Sequence, residues 1–580
     1  MRRKMTLIVV MMMTVTSIFG QGVDEVKSML RLTGSDIEYM DAEEVERLYV
    51  LLGRPLRLNV ASEAELMSSG LFSRYQAASL SDYRSRSGNV MSFMELAAID
   101  GFGEAFVDRI RPFVCLDPPK VGGIDKVWNE LVIRSALKST GAGSRWSYDA
   151  RYSVHGGDVL DAAVSISRSL DAARPYPDIL GGHIQWKFRR VDAKVIAGDF
   201  NARFGQGLAV WNGMNISSFN SPSSFLKRSS GLTPSSSLTG KYAFTGVASE
   251  VNAGPVTMSM MVAAPGIKNL LSKPDKVGIM PGANLTLRFR TGQVGLTHFF
   301  KFGRSGTKVH IPAMKTSADA AFCVRGTDVF SEVVYDWVDR SLSMRAGTVF
   351  PLGDAVDAAS MLRISKEEYA LALSGSLLAG QWISMKGTEI SRRRIDGTFS
   401  ADIVLYPVSK SAIHDRSVQL KLHSEWLIVI SRSFILTLRL TERMRSWGIR
   451  YRTDVRTDLD WNSERFSSSF RMNMLKCRNI GLLTYWEGGF RSGKTALHLR
   501  QGLFIIDDWD DRIYAYERDV PGTFNVPAYY GRGVWTSFMF SWRPTRSVKL
   551  HFRTGFTSYP FMKEKKPGKA ELRLQAVFDF

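Results

Sequence analysis

From about Trp128 to Phe580, apolar and polar residues alternate with a period of two in segment after segment, and helical periodicity is scarce. In the final segment Leu572, Leu574, Ala576, Phe578 and Phe580 share one face, while Arg573, Gln575, Val577 and Asp579 share the other. Val534, Thr536, Phe538, Phe540 and Trp542 make a second apolar face. A turn around Pro544-Thr545-Arg546 then leads to Val548, Leu550, Phe552 and Phe556, interleaved with Lys549, His551 and Arg553. Phe434, Leu436, Leu438 and Leu440 form a third face; Trp447, Ile449, Tyr451 and Val455 form a fourth, opposite Arg450, Arg452, Asp454 and Arg456. A membrane barrel turns the apolar set to lipid and the charged set to a wet lumen. A soluble sandwich reverses the faces. About 450 residues of repeated strands are unusual for one sandwich, so length favours the barrel; at about 10 residues per strand plus turns, an even count of roughly 16 to 22 strands is expected.

The pattern changes ahead of residue 128. Ser62-Glu63-Ala64-Glu65 is a capping box that opens a helix carrying Leu66 and ending at Gly70. Leu71, Phe72 and Tyr75 feed a second helix to about Ser85, before a turn at Gly88-Asn89. The grammar then repeats: Ser92-Phe93-Met94-Glu95 caps a helix with Leu96 and Ile99, Gly101-Phe102-Gly103 turns, and Phe106, Ile110 and Phe113 follow at helical spacing. These are two helix-hairpin-helix units in tandem. A Gly-apolar-Gly turn lets helices meet closely and leaves backbone N–H groups facing outward, where a phosphate oxygen can accept from them. The fold class is therefore α + all-β, a small N-terminal helix-hairpin-helix domain followed by a large antiparallel transmembrane β-barrel. Segments are expected at 1–20 (signal peptide), 21–56 (acidic helical lead-in packing on the hairpins), 57–117 (hairpins), 118–127 (linker, Pro118 to Gly123) and 128–580 (barrel).

The leader follows from Arg2-Arg3-Lys4, an apolar stretch from Met5 to Phe19, and Gly20 as the small residue at a cleavage point. Cys115, Cys323 and Cys477 are odd in number and far apart, which gives neither a disulfide framework nor a metal spacing. The chain has a net charge of +20, yet residues 21–120 hold 16 acidic against 11 basic side chains. The hairpin region is acidic and the barrel basic, the reverse of what a charge-driven phosphate grip requires.

Leu58-Asn59-Val60-Ala61-Ser62 with Glu65-Leu66, Leu80 through Arg86, and Phe93 through Gly103 together resemble the DNA-binding domain of the competence protein ComEA and its relatives. The resemblance implies backbone contact at Ser69, Gly70 and Leu71 in the first hairpin and at Gly101, Phe102 and Gly103 in the second. The first hairpin departs from the pattern, because Phe72 stands where the family has its second glycine; such a side chain is expected to obstruct a phosphate. A terminal strand ending on Phe looks like the assembly signal of bacterial outer-membrane barrels. Ala197-Gly198-Asp199-Phe200 with Phe204-Gly205-Gln206-Gly207-Leu208 resembles a segment of uncharacterised Bacteroidetes envelope proteins that join a ComEA-like domain to an outer-membrane barrel. This implies an outer-membrane location, with the hairpins in the periplasm.

Gly488 to Thr495 satisfies the phosphate-loop pattern, and Phe504 to Asp508 imitates its acidic strand. The pattern needs a helix after the loop, but Leu497, Leu499, Gln501 and Leu503 alternate as a strand does, so a hairpin turn is expected and no nucleotide. The eight histidines show no zinc signature, and His414-Asp415 lacks a placed nucleophile. Asp507, Asp508, Asp510 and Asp511 read as a solvated loop rather than a calcium site. No catalytic constellation, cofactor or metal site is implied. Arginines on strand faces are expected to bind anions, pair with lipid phosphates, or merely solvate the strands. Three functions remain. One is a non-enzymatic barrel, in contact with membrane lipid, whose hairpins dock a periplasmic protein; the second is DNA uptake with the hairpins on the backbone; the third is an envelope enzyme. The charge distribution predicts that residues 24–118 bind duplex DNA weakly or not at all at physiological salt.

Overall fold

The computed structural model describes residues 48–580 apart from short stretches, the longest being 117–126, 213–221, 265–277 and 407–416. The expected leader, residues 21–47 of the lead-in, the Ser62 cap and nearly all of the linker lie outside the described residues.

Described strands from Trp128 to Asp579 close into one antiparallel barrel of 24 strands, more than the sequence estimate. The shortfall comes from the turns, since connections such as 254–255, 325–326 and 493–494 take only two residues and leave more chain for strands. The last strand, Lys569–Asp579, pairs antiparallel with the first, Trp128–Thr140. Asn129 and Phe580 seal this seam by exchanging backbone hydrogen bonds of 2.8 and 3.0 Å.

The alternation read from the sequence becomes the two faces of the wall. Ile184, Trp186, Leu438, Leu440, Phe556 and Leu574 point out and are exposed, whereas Arg134, Arg439, Arg456, Arg500 and Arg553 point in and are buried. An apolar exterior on a closed barrel, with no unpaired strand edge, is the arrangement that can stand in a bilayer. Among the described residues no helix is long and apolar enough to cross a membrane. Both chain ends of the barrel lie at one mouth, as an even strand count requires. That mouth carries the short turns and a ring of outward aromatics (Phe188, Phe289, Phe434, Phe466, Trp542 and Phe580). The opposite mouth carries the long connections, including 204–230 and 507–530.

The phosphate-loop pattern is a hairpin. Strands Ile480–Ser492 and Thr495–Ile506 pair directly across Gly493-Lys494, with Ser492 opposite Thr495, and Gly493 takes the positive φ of the turn.

Ahead of the barrel, helices α1 (Arg74–Ser87), α2 (Phe93–Ala98) and α3 (Gly103–Ile110) pack round Leu58, Leu66, Phe72, Leu80, Leu96, Ile110 and Phe113. A parallel pair, Leu56–Arg57 with Val114–Cys115, ties the ends of this domain together. Asn59 staples its interior: its amide donates to the carbonyls of Val90 and Leu116 and accepts from the Val90 N–H. A helical piece at 48–52 packs on the same core through Leu48, Tyr49, Leu51 and Leu52, as the lead-in was expected to do.

Candidate functional site

The two hairpins differ at the level of single atoms. In the second, Ser92 caps α2 by accepting from the Glu95 N–H at 3.1 Å, and the Glu95 carboxylate accepts from the Met91 N–H at 2.8 Å. The Tyr83 hydroxyl also donates to Glu95, and these two contacts hold its carboxyl below the ordinary range. Gly101 and Gly103 have φ of 84° and 65° and are exposed, and a Cβ on Gly103 would meet nothing. Phe102 between them is a core residue, as is Leu71 in the first hairpin. There Ser69 is also buried, and its hydroxyl accepts from the Leu71 N–H at 3.1 Å while donating to the Leu66 carbonyl. One amide a phosphate would need is thus already engaged. Phe72 does not obstruct that turn as the sequence suggested. Its ring is fully buried, packed against Phe102 and Phe106, because burial takes its large apolar surface out of water.

The helical domain meets the barrel. Glu65 reaches Lys187, an inward-facing residue near the short-turn end of strand Ile179–Phe188, at 2.6 Å. Tyr516, from the long 507–530 connection, is buried within the helical domain's own core, hydrogen-bonded to Tyr49, and Val526 packs beside it. Asp100 on the second hairpin lies within electrostatic reach of Cys323 on the inner wall. The domain therefore sits in the short-turn mouth and touches a segment that enters from the other side.

That segment turns inward because the wall supplies its partners. Arg500 donates to the Tyr516 carbonyl at 2.5 Å and pairs with Glu487 at 2.6 Å; Arg518 binds the other oxygen of Glu487 at 2.5 Å. Arg553 binds Glu517 and donates to the Arg518 carbonyl, Arg573 binds Asp519, and Arg134 donates to the Pro521 carbonyl. Ile513, Ala515 and Tyr529 press on Phe504 and Trp535 of the wall. Trp535 lies over Gly502, where any Cβ would come within 2.3 Å of its ring. The strand-face arginines thus anchor an inward loop rather than merely solvating strands.

A second long connection is anchored in the same way. The Gly205-Gln206-Gly207 segment wraps its amides round Glu332, which accepts from Gln206, Leu208 and Ala209 at 2.7, 2.9 and 3.1 Å and from the Ser317 hydroxyl at 2.8 Å. Arg345 beside it donates to the carbonyls of Gln206 and Phe225, both at 2.7 Å. The glycine motif was visible in the sequence; its partner, more than a hundred residues away, was not.

The acidic run at 507–511 is only in part the solvated loop expected, with Asp507 exposed and Asp508 and Asp510 half-buried. Asp511 is fully buried and accepts from the Arg478 and Asn479 N–H groups, Asp510 pairs with Arg478 at 3.0 Å, Asp508 caps a short turn, and Asp507 pairs with Arg532, which holds its carboxyl below the ordinary range. The run folds this way because each carboxylate finds its own donor at the loop mouth. No cluster suited to a metal ion is present among the described residues.

No family model and no curated protein matches the chain. Among solved structures it is similar to the siderophore receptor PirA of Pseudomonas aeruginosa, at 9% identity over 79% of this chain and 81% of that one, with a TM-score of 0.42. OccK11 (OpdR) of the same organism is similar at 8% identity over 79% and 97%, with a TM-score of 0.31. A BenF-like porin from Pseudomonas fluorescens Pf-5 is similar at 7% identity over 79% and 100%, with a TM-score of 0.30.

Proposed function

We propose that this protein is a non-enzymatic, self-occluded conduit of the outer membrane, closed by its own ComEA-like helix-hairpin-helix domain and opened when a periplasmic protein engages that domain. The observation that carries this reading is Tyr516. A residue of a loop anchored to the wall completes the core of the helical domain, so the domain cannot move without breaking a packed contact. A barrel of this size encloses a wide lumen, and barrels of 22 strands are known with the lumen plugged. Met91 and Met94 remain 80% and 84% exposed with the barrel in place. They face neither wall nor loop, which suits docking of a partner from the short-turn side.

The reading is tested in intact envelopes by bridging Glu65→Cys to Lys187→Cys with a short bis-maleimide in a background where the three native cysteines are serines. Efficient bridging supports the seated domain. Absence of bridging, with both cysteines accessible to a single-ended reagent, contradicts it.

A DNA-holding role keeps one observation in its favour, the exposed left-handed glycines Gly101 and Gly103. The acidic surroundings oppose it. The full-length protein is expected not to retain duplex DNA at physiological salt. Sub-micromolar binding that falls steeply with salt and is abolished by Gly101→Glu would instead establish the nucleic-acid reading.

A further inference from the structure

We propose that a cavity of about 310 Å³ at the loop mouth is a binding site for a small organic oxyanion, a phosphate or carboxylate carried on a compact ring-bearing body. The site is built from the barrel wall and the first residues of the 507–530 loop, and it stands whether or not the helical domain acts as a plug.

Four guanidinium groups line the cavity, those of Arg443, Arg445, Arg452 and Arg512. Asp510 is the only carboxylate lining it among the described residues, and Asp510 is paired with Arg478 at 3.0 Å. Arg443 and Arg452 stand directly opposite each other in the register of strands Phe434–Arg445 and Tyr451–Asn462, both on the inward face.

What holds Arg445, Arg452 and Arg512 is neutral. Arg445 donates to the Gln419 side-chain oxygen at 2.7 Å and lies 5.3 Å from the centre of the Trp447 ring. Arg452 donates to the carbonyls of Asp510 and Arg512 at 3.3 and 3.2 Å. Arg512 donates to the Trp509 carbonyl and the Tyr514 hydroxyl, and packs 4.7 Å from the Trp509 ring. Carbonyls, an amide and aromatic faces fix the direction of a guanidinium without cancelling its charge, so the cavity keeps a positive excess with donors already oriented. Forked guanidinium donors match the paired oxygens of phosphate and carboxylate. The volume falls at the small end of ligand pockets, and Trp447 offers a flat face to a sugar or aromatic ring. The inward orientation of the arginines excludes lipid as the source of the anion.

Cys477 also lines the cavity and serves as a reporter. In full-length protein carrying Cys115→Ser and Cys323→Ser, a sulfonate-bearing methanethiosulfonate should modify Cys477 about tenfold faster than its trimethylammonium counterpart, because a cavity of one sign concentrates the opposite charge. Inorganic phosphate and glucose 6-phosphate should slow the reaction saturably, and stronger protection by glucose 6-phosphate would assign the ring to Trp447. Arg443→Gln with Arg452→Gln should bring the rate ratio toward one while a neutral reagent still labels Cys477. Equal or faster labelling by the cationic reagent, or no protection by either probe in the otherwise unaltered chain, overturns the site.

Discussion

Single residues decide how far the long connections can enter the lumen. Glu332 is the clearest case, since its carboxylate accepts from three consecutive-segment amides and one hydroxyl while 1% exposed. Glu332→Ala leaves those donors unpaired and removes the charge facing Arg345, a loss of about 3 to 5 kcal/mol by analogy with other broken buried pairs. The expected readout is a lower temperature at which the folded band is lost on a gel of unboiled samples. An unchanged transition contradicts the cradle. Glu95, at the surface, carries a pH dependence. Its carboxyl is held below its ordinary value of 4.5 by the Tyr83 hydroxyl and the Met91 N–H. A depressed carboxylate contributes stability that is full above the unfolded value and lost as pH falls through the folded one. The capping of α2 should therefore weaken as pH drops below about 4.5, seen as faster amide exchange at Leu96. Tyr83→Phe should move that loss to higher pH; an identical profile in both proteins would show that the contact is idle.

At the scale of elements, the strands were legible because lipid and lumen impose opposite demands on alternate residues. The outward positions of Phe434, Leu438, Leu440, Phe556 and Leu574 and the inward positions of Arg452, Arg456 and Arg553 follow from period two alone. Trp447 and Ile449 did not extend that pattern; they belong to the 446–450 connection, where no sheet enforces alternation. The hairpin Gly101-Phe102-Gly103 was also legible, since only a left-handed turn calls for glycines so spaced. The inward loops were not. Residues 204–230 and 507–530 have no periodicity, and what anchors them comes mostly from strands far along the chain, Glu332, Arg345, Arg553, Arg573 and Arg134, with Arg500 on the strand that leads into the second loop. Their acids and arginines looked like solvated charge until the barrel brought each pair together. Arg553→Ala tests the anchoring at this scale. It removes the guanidinium bound to Glu517 beside a buried wall and should expose the loop to trypsin at Arg518 without abolishing the barrel band; a loop as resistant as in the parent protein contradicts the anchoring.

For the whole molecule, a barrel of 24 strands poses a problem that a smaller one does not, because side chains alone cannot fill its lumen. Two inward loops and the helical domain occupy it from opposite mouths, and the 507–530 loop meets the domain at Tyr516. The acidic domain sits in a basic barrel, so the charge contrast that argues against DNA binding is the same contrast that favours seating, with Glu65 on Lys187 as its visible contact. That pair is about one-third exposed on each side and contributes at most about 1 kcal/mol; the packed Tyr516 contact is the stronger hold. Ion conductance across planar bilayers tests the occluded lumen most directly. The full-length protein is expected to insert and show little or no steady conductance, while Tyr516→Asp, which places a charge in the helical domain's core, should open large and long-lived steps. A wide, steady conductance from the unsubstituted protein, unchanged by Tyr516→Asp, would contradict the account.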